Sequence, residues 1–250
     1  MINARRPSLR NRISEHIGLV IILVAFGALG AVYGRATPLL ETPDEPSHFS
    51  VAKYMADELR LPAAQPAPAD AGPVPVIQEG PPVYYAPPLY YALSAPLIAG
   101  LDTDGFAEGV IPSPNWARGW APTANRSPDN KHIYVLTADL RAPLAGWATA
   151  MMRLRVLSLL LGAVTVVGVY ALARSVCAQS LVFAATALVA FNPAFLFVTT
   201  GVTNDALLFA LSTWAYVLMV QLVVRGGDSE PTRASWALVL LLGVTLGLSA

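Results

Sequence analysis

Four ionisable side chains crowd one stretch of ten residues, Glu41-Thr42-Pro43-Asp44-Glu45-Pro46-Ser47-His48-Phe49-Ser50, in a chain of 250 residues of which only 13% are charged. Pro43 and Pro46 stand where a helix would begin, and proline is tolerated in a first turn. An acid at that start lies at the positive end of the helix dipole and stays ionised. His48 follows Asp44 by four residues and Glu45 by three, so on a helix it lies over both. Asp44 or Glu45 could therefore take a proton from a hydroxyl as a general base. Asp44 and His48 could alternatively hold a divalent cation. The plain alternative is a solvated helix cap with a passing histidine, because acids are common at helix starts.

Other residues with chemical potential are spread along the chain. Asn204-Asp205 precedes an apolar run. There it reads as a helix cap with a dipole-complementing acid, or as a polar contact to a substrate at a span mouth. Arg153 and Arg155 lie just before another apolar run and could hold a lipid phosphate, although simple interfacial anchoring explains them as well. Tyr84, Tyr85, Tyr90 and Tyr91 could stack on a sugar or a polyprenyl chain, and they equally suit a membrane interface. Asn192-Pro193, inside an apolar stretch, predicts a kink.

The elements that must position these groups are those of an integral membrane protein. Over half the residues, 55%, are hydrophobic, and the charges are gathered between long uncharged runs. Ile17–Gly34 carries no charge and is long enough to approach a ~30 Å hydrocarbon core. It exceeds a usual signal-peptide core and lacks a clear cleavage site after it, which favours a retained span. Arg5, Arg6, Arg10 and Arg12 precede it without an acid among them, placing residues 1–16 in the cytoplasm. Residues 35–155 then read as a long extracytoplasmic loop with interfacial helices near 44–59 and 88–100. In the first, Val51, Tyr54, Met55 and Leu59 recur at helical spacing and predict an amphipathic helix lying on the membrane surface. Prolines 81, 82, 87, 88 and 96 argue against a lipid-exposed span over 80–101. Pro62–Pro82 reads as an extended linker, and 101–146 as a polar, loop-like segment with Trp116, Trp120 and the run Asn125–His132.

Residues 156–250 predict transmembrane helices 2–5, over 156–173, 181–199, 206–224 and 234–250. The fold class is thus all-α integral membrane, with about five transmembrane helices. Alternate threading puts Arg174, Arg225 and Arg233 in cytoplasmic loops, in keeping with the positive-inside bias; Arg153 and Arg155 run against it. Asp44, Glu45, His48, Asn204 and Asp205 then share one membrane face. The last run ends without an anchor, as expected of the N-terminal part of a longer protein.

Several function classes are disfavoured. A net charge of zero gives no reason to expect a nucleic-acid partner, and the single cysteine, Cys177, cannot form an intramolecular disulfide. No phosphate-cradling Gly-rich loop is present to suit a nucleotide sugar. A transport or scaffold subunit remains the competing class, but a transporter should carry ionisable groups within its spans, and here they lie at span ends or in loops.

The stretch Thr42–Phe49 is followed by Arg60-Leu61-Pro62, Pro87-Pro88-Leu89-Tyr90-Tyr91, Asp129-Asn130-Lys131, Arg155-Val156-Leu157-Ser158-Leu159-Leu160-Leu161-Gly162, Ala190-Phe191-Asn192-Pro193 and Asn204-Asp205-Ala206-Leu207. In this order the motifs resemble bacterial GT-C glycosyltransferases, specifically the family 39-like (protein mannosyltransferase-like) group with its DUF2142-type members, over about residues 15–250. The resemblance implies an enzyme that takes a sugar from a polyprenyl-phosphate donor outside the cytoplasmic membrane. It implies that the first-loop acid, matched by Asp44, lies at the active centre as base or metal ligand. Glu45, His48, Asn204 and Asp205 are its implied neighbours. Members of this group usually have more spans than this chain contains.

Overall fold

The computed structural model describes residues 9–60, 87–110, 134, 146–225 and 233–249. The linker 62–82, Tyr84, Tyr85, Trp116, Trp120 and the run 125–132 lie outside the described residues. The helices are α1 (Leu9–Ala36), α2 (Glu45–Glu58), α3 (Leu89–Ile98), α4 (Phe106–Gly109), α5 (Trp147–Val176), α6 (Val182–Ala190), α7 (Pro193–Thr199), α8 (Asp205–Arg225) and α9 (Arg233–Ser249), with a 3-10 turn at Gln179–Leu181 before α6. The protein is an all-α integral membrane protein.

Among the described residues three helices are long and apolar enough to cross a bilayer: Ile17–Ala36 within α1, α5, and Asp205–Val224 within α8. A fourth crossing is available if the 3-10 turn with α6 and α7 together form one span, bent by 56°. The bend has a local cause. Pro193 has no amide hydrogen to continue the ladder. Asn192 Oδ1 instead accepts from the amides of Ala194 at 2.9 Å and Phe195 at 3.3 Å, restarting the helix. The last apolar run forms α9, which at 17 residues is about 25 Å long.

The chain forms two compact units. The first comprises Met1–Val32, Leu160–Leu196 and Leu208–Ala250. Its interior is built from rings and small residues. Phe26 is fully buried against Phe195, with centroids 5.7 Å apart, and Phe195 meets Phe209 at 6.0 Å. At Gly168 an added Cβ would come within 2.8 Å of Thr213 Cγ2, so the missing side chain lets α5 and α8 approach. Outward, Ile17, Val20, Ile21 and Val24 of α1 are all exposed, as suits a lipid-facing surface.

The second unit comprises Tyr33–Leu159 and Phe197–Leu207. It collects the C-terminal end of α1, the amphipathic α2, the short apolar α3, the N-terminal part of α5 and the turn before α8. Phe49 packs on Phe106 at 4.7 Å, and Phe106 on Trp147 at 5.5 Å. The buried face of α2 differs from the apolar stripe read from the sequence. It carries Glu45, Pro46, His48, Phe49, Val51 and Ala52, whereas Leu59 is 87% exposed. Two ionisable groups are turned inward because they find partners there that local periodicity does not reveal.

Candidate functional site: one buried acid and one free acid

Glu45 and Arg155 form the joint of the second unit. Arg155 Nε donates to Glu45 Oε1 and Nη2 to Oε2, both at 2.7 Å, a bidentate pair with side chains 0% and 3% exposed. The remaining guanidinium hydrogens go to the carbonyls of Gly34, Thr37 and Pro38, each at 2.8 Å. The planar fork offers five N–H donors, so none is left over. These carbonyls leave the C-terminal end of α1, where helical partners run out and a cation is favoured. Glu45 is equally occupied. Oε1 also accepts from the Val202 amide at 3.0 Å, and Oε2 from the Leu40 amide at 2.8 Å. Arg155, expected as a phosphate holder or interfacial anchor, therefore has no donor free for a phosphate. Glu45 has its acceptor sites filled by four bonds.

Asp44, the preceding residue, is in the opposite situation. It is exposed, and its backbone is left-handed at φ 54°. Aspartate tolerates this region better than most residues. Its carbonyl accepts the His48 amide at 3.0 Å, so it occupies the N-cap position, but its side chain makes no cap hydrogen bond. The sequence reading of a capping carboxylate is thus corrected. Asp44 sits in a left-handed turn, its carboxylate accepts from no helix amide, and Pro46 supplies no amide in the first turn.

His48, one turn on, is 7% exposed and is not a passing surface histidine. Its Nδ1 shares a 2.8 Å hydrogen bond with Tyr91 Oη, and the two rings stack at 6.0 Å. Burial pulls the imidazole below its usual value of 6.5, opposed by the charges of Asp44, Asp205 and Glu45. Those charges identify the surroundings: the free carboxylates of Asp44 and Asp205 both bear on the His48 ring. Neither has an ion-pair partner among the described residues.

Tyr90 and Tyr91, expected as interface or stacking groups, are buried at 0% and 1% exposure. Tyr90 Oη and Ser158 Oγ share a 2.9 Å hydrogen bond. Burial pushes the Tyr90 phenol up to about 12, against hydrogen bonds from Ser158, the Thr203 backbone and Ser94. Burial raises the Tyr91 phenol as well. The edge-to-face ring pair, 5.6 Å between centroids, thus ties α3 to α2 through His48 and to α5 through Ser158. Arg153 is exposed and donates to the Leu97 carbonyl at 3.1 Å. At the start of α8 the Asp205 amide donates to Thr203 Oγ1 at 3.2 Å, so a side chain other than Asn204 serves this turn. Asn204 is half-buried and Asp205 exposed.

The described residues do not make up a donor set for a resident metal. Among the described residues no group of three or more His, Cys, Asp or Glu side chains is placed to hold one. His48 Nδ1 is already engaged, and Asp44 with His48 amounts to two donors.

Several participants carried no sequence signal. Val202 and Leu40 act through backbone amides, and Gly34, Thr37 and Pro38 through carbonyls. Gly201 is required by close approach, since an added Cβ would lie 2.5 Å from Thr42 Oγ1. That hydroxyl is buried without a hydrogen-bond partner.

Residues 145–250 match the family model of the dolichyl-phosphate-mannose-protein mannosyltransferases. The match supports a membrane glycosyltransferase of the GT-C type. It covers Arg153, Arg155, Asn204 and Asp205, whereas Asp44, Glu45 and His48 lie before it. Comparison with curated proteins and with solved structures returns no match.

Proposed function

We propose that the chain belongs to a membrane glycosyltransferase that moves a sugar from a polyprenyl-phosphate donor to an acceptor hydroxyl on the extracytoplasmic face, with Asp44 as general base. The observation that carries this reading is the division between adjacent acids. Glu45 is buried and saturated by four hydrogen bonds, while Asp44 is exposed and has no ion-pair partner among the described residues. One acid fixes the turn, and the other is held where a substrate can reach it.

The chemistry asks little more of the protein. The acceptor oxygen attacks the anomeric carbon, the carbon–oxygen bond to phosphate breaks, and the electron pair leaves with the phosphate. The hydroxyl proton passes to the Asp44 carboxylate. A phosphate leaving group is ionised already and needs no strong acid, so positioning and one base suffice. Arg153, exposed with donors to spare, is the basic group suited to the phosphate. Asn204 and Asp205 suit sugar or acceptor hydroxyls at the mouth of the site. The arginine-rich N-terminus is cytoplasmic in this arrangement, in a cytoplasmic membrane, and no step is routed through a metal.

Asp44→Asn in the full-length protein removes the base and keeps the shape. Sugar transfer from polyprenyl-phosphate mannose, glucose or arabinose, tried in turn with isolated membranes, is expected to fall at least a hundredfold. Transfer by the variant at the wild-type rate would remove Asp44 from the mechanism.

A further inference from the structure

The two nitrogens of His48 are treated differently. Nδ1 is engaged by Tyr91 Oη at 2.8 Å inside the protein. Nε2 has no hydrogen-bond partner among the described residues, and it is not among the enclosed, unpartnered atoms of the molecule. A phenol whose burial holds its proton tightly is the natural donor in such a pair, which leaves the imidazole hydrogen on Nε2. That tautomer is also favoured by its setting, since an N–H is drawn toward carboxylates. Tyr91 of α3 contacts the ring, and the charges that act on it are Asp44 at the N-cap of α2, Glu45 of α2 and Asp205 at the start of α8. Arg155 of α5 neutralises Glu45. Asp44 and Asp205, whose charges bear on the ring, have no ion-pair partner among the described residues, a setting hostile to a phosphate and hospitable to an uncharged hydroxyl.

We propose that His48 is the positioning residue for the acceptor, its Nε2–H donating to the oxygen of an uncharged hydroxyl beside Asp44, with Tyr91 fixing the ring. The inference rests on the transferase reading and adds to it the side of the site on which the acceptor binds. An attacking hydroxyl has one proton and two lone pairs. Asp44 takes the proton, His48 Nε2–H holds one lone pair, and the other is left for the anomeric carbon. Loss of that orientation is a loss of near-attack geometry.

Two near-isosteric substitutions separate the nitrogens. Asparagine can place an amide where Nδ1 stands, and glutamine where Nε2 stands. In the full chain in membranes, supplied with the polyprenyl-phosphate sugars above, His48→Gln is expected to stay within about threefold of wild type. His48→Asn should lose about tenfold in kcat/KM, mostly as a raised KM for acceptor. Tyr91→Phe should fall between them. The inference is overturned if His48→Asn matches wild type while His48→Gln loses activity, since the Tyr91 bond alone would then matter. A wild-type chain that transfers none of the sugars tried removes the transferase reading beneath it, a distinct result.

Discussion

Replacing Arg155 by methionine tests the joint directly. The side chain keeps a similar length and loses the guanidinium. Glu45, 0% exposed, would keep two backbone amides but lose a bidentate cation. Removing one partner of a buried ion pair costs about 3–5 kcal/mol. The carbonyls of Gly34, Thr37 and Pro38 would also lose their donor, at about 1 kcal/mol each where water cannot replace it. The expected loss is therefore about 5 kcal/mol or more. Arg155→Lys should be intermediate, because an ammonium has three donors for five bonds and no fork. Glu45→Gln should also be severe, since its amide would present hydrogens to a carboxylate site bonded only by donors. Asp44→Asn is the control. The residue is exposed and asparagine tolerates the left-handed turn, so it should stay within about 0.5 kcal/mol of wild type. The assay is the midpoint of thermal inactivation of the full chain in detergent, read as the monodisperse fraction after heating. If Arg155→Met melted with the wild type, the saturated pair would not be holding α1, α2 and α5 together, and the division between the two acids would lose its basis.

Gly201→Ala should destabilise by about 1–3 kcal/mol, because the new methyl meets Thr42 Oγ1 at 2.5 Å. The Thr42→Ser partner change, which removes the neighbouring methyl, should recover part of that loss in the same melting assay. The His48 imidazole is pulled below 6.5 in the folded protein, so the unfolded chain binds more protons in the window just below that value. Stability should accordingly fall as pH drops below 6.5 and be complete above it. His48→Gln should flatten this slope in melting curves taken from pH 7.5 to 5, and an unchanged slope would assign it to another group.

The all-α membrane class was legible because long uncharged runs have few physical solutions in a bilayer. The bend at Asn192-Pro193 was legible for the same kind of local reason: one residue lacks a donor and its neighbour can cap. The inward face of α2 was not. The apolar stripe at 51, 54, 55 and 59 gives it only in part, with Val51 buried, Tyr54 and Met55 half-buried and Leu59 exposed, because Glu45 is drawn in by Arg155, 110 residues away. Nothing in the local spacing of either residue encodes that bond. Arg155 was read as an anchor for the same reason, since an arginine before a span looks alike whether it faces lipid phosphate or a buried glutamate. The amides of Leu40 and Val202 carry no side-chain signature at all.

The distances along the chain between the groups that satisfy Glu45 also set a timetable for biosynthesis. Leu40 is five residues away, Arg155 is 110 and Val202 is 157. At about 5–20 residues per second, the ribosome needs roughly 8–30 s to pass from Glu45 to Val202. Until Arg155 is made, roughly 6–22 s after Glu45, the glutamate is a lone charge on an unfinished loop. The site therefore cannot be complete until Val202 has been made, however early its first residues are. A chaperone or insertase that shields the first loop would act in that interval.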